Sequence, residues 1–174
     1  MKVLVVIDMQ NDFIDGSLGT PEAQLIVPKV IDAVRGFDGK VIFTMDTHTP
    51  DYLETQEGRN LPIKHCIPGT PGWELPDALK EAARQLHALF YRKPTFGCTA
   101  LARDLVAFDH AEHIDEIELV GLCTDICVIS NALMIKAFLP EVPISVDSSC
   151  CAGMTPASHE AALTVMRSCQ IAVR

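Results

Sequence analysis

The sequence predicts an α/β protein with a doubly wound, mostly parallel six-stranded sheet and helices on both faces. Short runs rich in β-branched residues alternate with helical patterns along the 174 residues, which is typical of strand-helix-strand units. The first run, residues 3–7, is apolar at every position and so indicates a strand buried on both faces of a parallel sheet. The length suits one well-packed core, so we expect a single domain over residues 1–174.

The remaining elements follow from the same two patterns. Further strands are predicted at residues 40–44, 86–92, 117–122 and 143–146, with 171–173 as a sixth. Helices are predicted at residues 22–35, 77–83, 101–107, 125–138 and 156–167. The first helix has apolar residues on one face and Gly36 as its stop. Residues 47–73 carry four prolines, and we interpret them as a long active-site loop because such loops in compact domains are usually functional.

Charge and cysteine content narrow the class of protein. Acidic residues outnumber basic ones by 23 to 14, for a net charge of -9, and the basic residues are scattered, so nucleic acid and anionic membranes are not expected partners. The apolar run at the N-terminus ends after residue 7, which is too short for a signal peptide or a membrane span. The seven cysteines, an odd number, are expected to be reduced thiols in a cytoplasmic protein.

Several polar residues directly follow predicted strands. Ligands of open α/β sheets bind beyond the carboxyl ends of the strands, so chemistry is expected at these positions. They are Asp8, Asp46, Lys93, the segment 123–127 and Asp147. Asp8, Lys93 and Cys127 would place a carboxylate, an ammonium group and a thiol at one edge, where their proton equilibria would be coupled. A solubilising acid and a solvated loop lysine are the alternative interpretations of Asp8 and Lys93.

Cys127 is the candidate nucleophile. Thr124 or Asp125 is placed to cap the longest predicted helix, which puts Cys127 in the first helical turn. There the helix dipole and free N–H groups favour the thiolate and lower a thiol pKa that is ordinarily about 8.5, so we expect an ionised sulfur. The alternative is a buried cysteine that packs as a small apolar side chain. That is our interpretation of the Cys123 thiol, whose spacing from Cys127 is not that of a CxxC motif.

Three separated motifs resemble those of one known family. They are Asp8-Met9-Gln10-Asn11-Asp12-Phe13, Lys93 after a strand, and Cys127 within Thr-Asp-Ile-Cys-Val, and the likeness extends to residues 147–150 and 159–163. Together they resemble the isochorismatase-like cysteine hydrolases, a family that includes nicotinamidases and related amidases. The resemblance implies that Asp8 accepts the thiol proton, that Lys93 supports the carboxylate and the thiolate, and that Cys127 attacks a carbonyl to form an acyl-enzyme.

The same resemblance implies further details of the site. It implies a cis peptide bond at Leu122–Cys123 and an oxyanion hole made by the backbone N–H groups of Cys123 and Cys127. It also implies Phe13 as a substrate-binding residue, a small-molecule amide as substrate, no organic cofactor and a homo-oligomeric assembly. The leading hypothesis is therefore nicotinamidase-like hydrolysis of a small amide.

Two alternatives remain beside amide hydrolysis. An isochorismatase-type enzyme would hydrolyse another small substrate, but that chemistry needs no thiol, so the set of Asp8, Lys93 and Cys127 favours an amide. The other is a non-catalytic scaffold of the same fold, because a fold alone does not fix function. Residues 61–65 lack the tryptophan that often precedes the metal histidine in nicotinamidases, which leaves the substrate open. A phosphatase of the haloacid dehalogenase type is disfavoured, because Gln10 stands where its second acid would be.

Asp46, His48 and His65 form a candidate metal site. Asp46 and His48 follow the second strand, and His65 lies in the long loop. A carboxylate with two imidazoles suits zinc or a similar divalent ion, so the expected cofactor is a divalent metal, with zinc first. The alternative is that both histidines only form hydrogen bonds within the loop.

The fourth metal ligand departs from the commonest pattern. Many nicotinamidases have a histidine six residues after the acid, where this chain has Tyr52. Some relatives instead supply a glutamate nine residues after the first histidine, which here is Glu57. Glu57 is therefore the predicted fourth ligand, with Glu54 as the second choice. Cys66 and the four other histidines are interpreted as structural or solvated.

Overall fold

The computed structural model describes residues 1–174 and contains a six-stranded sheet with the order β3-β2-β1-β4-β5-β6. The strands are β1 (Lys2–Ile7), β2 (Lys40–Asp46), β3 (Leu89–Lys93), β4 (Glu116–Leu122), β5 (Ile144–Ala152) and β6 (Ala172–Val173). Every neighbouring pair is parallel. The predicted doubly wound α/β class is confirmed, and the sheet is parallel throughout rather than mostly parallel.

Seven α-helices cover the two faces of the sheet. They are α1 (Asn11–Ile14), α2 (Pro21–Gly36), α3 (Gln56–Asn60), α4 (Asp77–Gln85), α5 (Thr99–Ala111), α6 (Ile129–Phe138) and α7 (Pro156–Ser168). Alternate side chains of β1 enter two cores. Val3, Val5 and Ile7 pack with residues of α5, α6 and α7, and Leu4 and Val6 pack with residues of α2 and α4. Because both faces of β1 are covered, the strand is apolar at all five of these positions.

Local sequence signals set where two of these helices begin. The Thr20 hydroxyl accepts a hydrogen bond from the Ala23 N–H at the start of α2, and a proline occupies the first turn, where its missing N–H costs nothing. Thr155 and Ser158 form a capping box at the start of α7. None of the helices combines the length and the apolar character that a membrane crossing requires.

The third strand begins later than predicted. The sequence analysis placed it over residues 86–92, whereas β3 starts at Leu89. The reason is that α4 continues to Gln85 and His87 then turns the chain with a positive φ of 50°. The apolar character of Leu86 therefore marks the end of a helix rather than the start of a strand.

The fifth strand is longer than predicted, which changes the position of Asp147. Pairing between β4 and β5 stops at Val146 and resumes at Cys151, so residues 147–150 form an irregular stretch inside β5. Asp147 accepts a hydrogen bond from the Ser149 N–H within this stretch. The expectation that Asp147 follows a strand end and belongs to the site is therefore wrong, because an internal irregularity resembles a strand end in sequence.

The carboxyl ends of four adjacent strands meet at one edge of the sheet. Asp8 follows β1, Asp46 ends β2, Lys93 ends β3 and Cys123 follows β4. The chain leaves β1 toward β2 on one side and returns to β4 on the other side. This edge is therefore the topological switch point, where open α/β sheets bind their ligands.

Candidate active site

Asp8, Lys93 and Cys127 lie together beneath the surface at this edge. The Lys93 Nζ atom is 2.6 Å from Asp8 Oδ2 and 3.4 Å from Cys127 Sγ. Asp8 is 0%, Lys93 1% and Cys127 5% exposed. The structure thus brings together an acid, an amine and a thiol that are separated by up to 119 residues in the sequence, from position 8 to position 127.

Asp8 is held at its backbone and at one carboxylate oxygen. Its N–H donates to the Thr44 carbonyl at 3.2 Å, and its Oδ1 accepts from the Thr44 hydroxyl at 2.7 Å. Oδ2 faces the Lys93 ammonium and has no other hydrogen-bond partner. Burial raises the pKa of the Asp8 carboxyl, and Lys93 opposes this rise only in part. Asp8 therefore offers an oxygen that contacts only the Lys93 ammonium and whose proton affinity is increased.

Lys93 is the positive charge that balances the site. Its ammonium group is 3.2 Å from Asp46 Oδ1 and donates to the Thr95 carbonyl at 3.1 Å. Burial opposes the charged form, but Asp8, Cys127 and Asp46 together raise the pKa of Lys93. Lys93 therefore stays an ammonium ion, as a buried charge with paired partners does.

Cys127 differs from the prediction in its local structure and in its ionisation. It lies in a π-helical segment, Thr124–Val128, that precedes α6, not in the first turn of an α-helix. Burial raises the pKa of the Cys127 thiol well above its ordinary value, and the charge of Asp8 adds to this rise. This direction opposes the expected resting thiolate, because burial of the sulfur disfavours its charged form while Lys93 favours it.

Asp46, His48 and His65 converge in the way a metal site requires. Asp46 Oδ2 is 3.0 Å from His48 Nε2 and 3.5 Å from His65 Nε2, and the three ligand atoms all lie within 4.8 Å of one another. The Ile63 carbonyl accepts a hydrogen bond from His65 Nδ1 at 2.8 Å, which leaves Nε2 with a lone pair for a metal. A carboxylate and two imidazoles with this arrangement fit a divalent ion such as zinc.

Glu57 lies beside this cluster, and Glu54 does not contact it. Glu57 Oε1 is 3.6 Å from His48 Nε2, whereas Glu54 is exposed and forms no ion pair with either histidine. Tyr52 is fully buried, and its ring centroid is 4.6 Å from that of His48. The Tyr52 hydroxyl donates to the Leu61 carbonyl at 3.1 Å. Tyr52 thus packs behind the histidines and directs its oxygen elsewhere.

Comparison with known proteins assigns the family. The family model named isochorismatase domain matches residues 2–174, which is almost the whole chain. The chain belongs to the isochorismatase family. A curated relative, the nicotinamidase/pyrazinamidase of Mycobacterium tuberculosis, is 28% identical over 151 residues, which cover 76% of this chain and 77% of the relative.

Solved structures of similar proteins have the same fold as this isochorismatase-family chain. The pyrazinamidase of Pyrococcus horikoshii in complex with zinc is 26% identical with a TM-score of 0.79, and the match covers 99% of this chain and 98% of that chain. The N-carbamoylsarcosine amidase of Thermoplasma acidophilum is 29% identical with a TM-score of 0.76, and the match covers 99% and 95% of the two chains. Both proteins are named for amide substrates.

A mostly apolar cavity of about 200 Å³ opens beside Cys127 of this isochorismatase-family protein. Its lining residues are Phe13, Leu18, Glu57, Leu61, His65, Phe96, Cys123, Ile126, Cys127 and Met154. The predicted substrate-binding residue Phe13 is among them, and its ring centroid is 5.6 Å from that of His65. The predicted cis peptide bond at Leu122–Cys123 is also present. The cavity therefore has the Cys127 thiol and two of the candidate metal ligands, Glu57 and His65, in its wall.

Gln10 is a site residue that the sequence analysis did not identify. The Gln10 Oε1 atom accepts from the Asp46 N–H at 2.7 Å, and Nε2 donates to the carbonyls of Asp46 and Trp73, both at 2.9 Å. The fully buried amide thus holds both backbone groups of Asp46. The available signal was a polar residue two positions after Asp8, directly beyond an apolar strand.

Proposed function

We propose that this protein is a cysteine-dependent amidohydrolase that cleaves a small, uncharged carboxamide in the manner of a nicotinamidase. The observation that carries the proposal is the contact of Cys127 Sγ with Lys93 Nζ at 3.4 Å, beside Asp8 Oδ2 and at the wall of the cavity. The relatives named nicotinamidase, pyrazinamidase and N-carbamoylsarcosine amidase support the amide class.

The first half of the reaction forms an acyl-enzyme. The Cys127 thiol gives its proton to Asp8 Oδ2, whose raised pKa suits a proton acceptor, and Lys93 stabilises the sulfur anion as it forms. The sulfur attacks the amide carbon to give a tetrahedral intermediate. The backbone N–H groups of Cys123 and Cys127, two residues that line the cavity, donate to its oxyanion.

The second half returns the enzyme to its starting state. Protonated Asp8 gives its proton to the amide nitrogen, the C–N bond breaks, and ammonia departs. The acyl group remains on Cys127 as a thioester. Asp8, again a carboxylate, then takes a proton from a water molecule that attacks the thioester carbon. The carboxylic acid product leaves, and the proton returns to the Cys127 sulfur.

The metal ligands fit beside this chemistry. We propose that Asp46, His48, His65 and Glu57 hold one divalent ion, with zinc first because of the donor set. When bound, the ion supplies a positive charge and open coordination positions that orient a polar substrate group. Phe13 packs against the substrate face, since its ring is one of the two aromatic walls of the cavity.

The cavity favours an uncharged substrate over an anionic one. No lysine or arginine lines it, and Glu57 adds a carboxylate to its wall. Lys93, the nearest buried cation, is already paired with Asp8 and Asp46. Apart from the proposed metal ion, a substrate carboxylate would find no cation in the cavity wall to replace its hydration, which is unfavourable in an apolar site.

An ammonia-release assay tests the proposal. Nicotinamide, pyrazinamide and N-carbamoylsarcosine serve as substrates, with Cys127→Ala as the test variant and Cys169→Ala, which removes an exposed thiol, as the matched control. We expect the two uncharged amides to be hydrolysed and Cys127→Ala to lower kcat by about 10³-fold or more. Hydrolysis by Cys127→Ala at the wild-type rate would contradict the proposal.

A further inference from the structure

Asn131 connects two segments of the site through a buried side-chain amide. It lies in α6 and is 1% exposed. Its Nδ2 donates to the Cys127 carbonyl at 2.8 Å and to the Phe96 carbonyl at 3.1 Å, and its Oδ1 accepts from the Cys98 N–H at 2.9 Å. Three of the four hydrogen bonds that such an amide can form are therefore made to backbone groups.

The partners of Asn131 belong to the two sides of the Lys93–Cys127 contact. Phe96 and Cys98 lie in the segment that follows Lys93 in the chain, and the same segment holds the Lys93 ammonium through the Thr95 carbonyl at 3.1 Å. The other partner is the carbonyl of the nucleophile itself. The Asn131 amide therefore links the backbone next to Lys93 to the backbone of Cys127.

No regular backbone pairing joins the segment that holds Lys93 to the segment that holds Cys127. Cys127 lies in the π-helical segment Thr124–Val128, and such segments are frequent at functional sites because they alter the regular hydrogen-bond ladder of a helix. The residues after Lys93, from Pro94 to Cys98, belong to no strand or helix. Neither segment is fixed against the other by a sheet ladder, and the Asn131 amide bonds to both.

We propose that Asn131 is a positioning residue that sets the distance between the Lys93 ammonium and the Cys127 sulfur, an inference that rests on the proposed cysteine hydrolase function. Asn131 touches neither the cavity nor the reacting atoms. Its contribution acts through Cys127 and through the segment that holds Lys93. A shift of about 1 Å between reacting groups can cost about 100-fold in rate, so a loss of this restraint should lower kcat more than it raises KM.

Two substitutions test whether Asn131 acts by linking the two segments or only by its hydrogen bond to Cys127 along the helix. Asn131→Leu removes all three hydrogen bonds while keeping a similar volume. Asn131→Thr keeps a hydroxyl that can donate to the carbonyl four residues earlier in a helix, here that of Cys127, but cannot reach across to Phe96 and Cys98. Lys136→Ala is the control, because it removes a side chain of the same helix that bonds only to the Pro140 carbonyl on the surface.

Steady-state ammonia release and Cys127 alkylation by iodoacetamide are measured on all variants, with melting temperature as the check on folding. We expect both Asn131 variants to lose about 10- to 100-fold in kcat with KM within about 3-fold. We also expect Cys127 to be alkylated about 10-fold more slowly, with Cys169 unchanged as the internal reference. Lys136→Ala should match the wild type.

The possible outcomes are distinct. Wild-type kcat and alkylation in Asn131→Thr would overturn the inference, because the bond within the helix would then suffice. A fall in kcat matched by an equal rise in KM, together with a large fall in melting temperature, would also overturn the inference. That pattern describes general destabilisation. If Asn131→Leu does not fold, Asn131→Thr decides alone. If the wild type releases no ammonia from any amide, the proposed function fails, and the alkylation rates still test the positioning role.

Discussion

The two carboxylate oxygens of Asp46 contact different parts of the site: one faces Lys93, and the other faces the two histidines. Oδ1 is 3.2 Å from the Lys93 ammonium, and Oδ2 is 3.0 Å from His48 and 3.5 Å from His65. Although burial opposes ionisation, the contacts with His48 and His65 and the charge of Lys93 hold the pKa of Asp46 below its ordinary range. One residue therefore fixes the geometry of the thiol half and of the candidate metal half together.

Replacing Asp8 by asparagine tests its role as the proton acceptor. The amide has the size of the carboxyl group and can keep contact with Thr44, but it cannot accept the thiol proton. We expect Asp8→Asn to lower kcat by about 10²- to 10⁴-fold and to remain folded, as steady-state kinetics and thermal unfolding would measure. The exposed Asp15→Asn is the control. Activity in Asp8→Asn within about 3-fold of the wild type would exclude this role.

The pH dependence of Cys127 alkylation tests its protonation state. Because burial raises the pKa of this thiol well above its ordinary value, only a small fraction is ionised at neutral pH, and this fraction grows about tenfold per pH unit until the raised pKa is reached. The rate with iodoacetamide, followed by peptide mass spectrometry, should therefore still rise above about pH 9. A plateau already reached at about pH 7 would instead indicate the thiolate that the helix-end argument predicts.

At the scale of elements, the loop between β2 and α4 supplies most of the candidate metal site. It contributes His48, Glu57 and His65, and it is held to the rest of the chain at several points. The Cys66 N–H donates to Asp12 Oδ2 at 2.7 Å, and the Asn11 side-chain amide donates to the Pro71 carbonyl at 2.9 Å. The loop is therefore an ordered part of the site, consistent with its interpretation as functional.

Metal content tests the role of this loop. We expect the purified protein to bind about one divalent ion per chain, and His65→Ala to lose it, because each ligand removed from a four-ligand site weakens binding strongly. Glu57→Gln should weaken metal binding by about 10-fold or more in a chelator competition assay. His87→Ala, in the turn before β3, is the control. Full amidase activity in a protein shown by elemental analysis to be metal-free would contradict the metal assignment.

Gly121 controls how closely β4 approaches β1 next to the site. Its φ is +115°, and a Cβ atom built there would be 2.1 Å from the Ile7 carbonyl oxygen. We expect Gly121→Ala to lower the free energy of unfolding by about 3 kcal/mol or more, as measured by urea denaturation. Gly36→Ala is the matched control, because a Cβ atom at the end of α2 meets nothing within 4 Å. Equal stability of the two variants would contradict this description of the β1–β4 contact.

Sequence patterns predicted the fold class and the location of the site because both follow from strand order and strand ends. Asp8, Asp46 and Lys93 were predictable in this way, since each is at or directly after the end of a strand. The pKa of the Cys127 thiol could not be predicted from the sequence, because it depends on how deeply the folded chain buries the sulfur. Asn131 was not identified either, because its partners lie up to 35 residues away in the chain and no local pattern marks them.

At the scale of the whole molecule, charge and sulfur content agree with a small-molecule enzyme. The net charge of -9 disfavours polyanionic partners, and all seven cysteines are free thiols, six of them buried. The predicted homo-oligomer and the predicted cytoplasmic location stay predictions. The sheet as a whole places four strand ends around one cavity, and the central claim is that Cys127 reacts there with an amide carbonyl.

The most direct test of this claim is mass spectrometry of the protein quenched with acid during turnover of nicotinamide. We predict that the peptide containing Cys127 carries the acyl group of the substrate as a thioester that hydroxylamine removes, and that the Cys127→Ala protein carries none and releases no ammonia. Sustained ammonia release by Cys127→Ala, with no acyl group on the wild-type Cys127 peptide, would contradict the account.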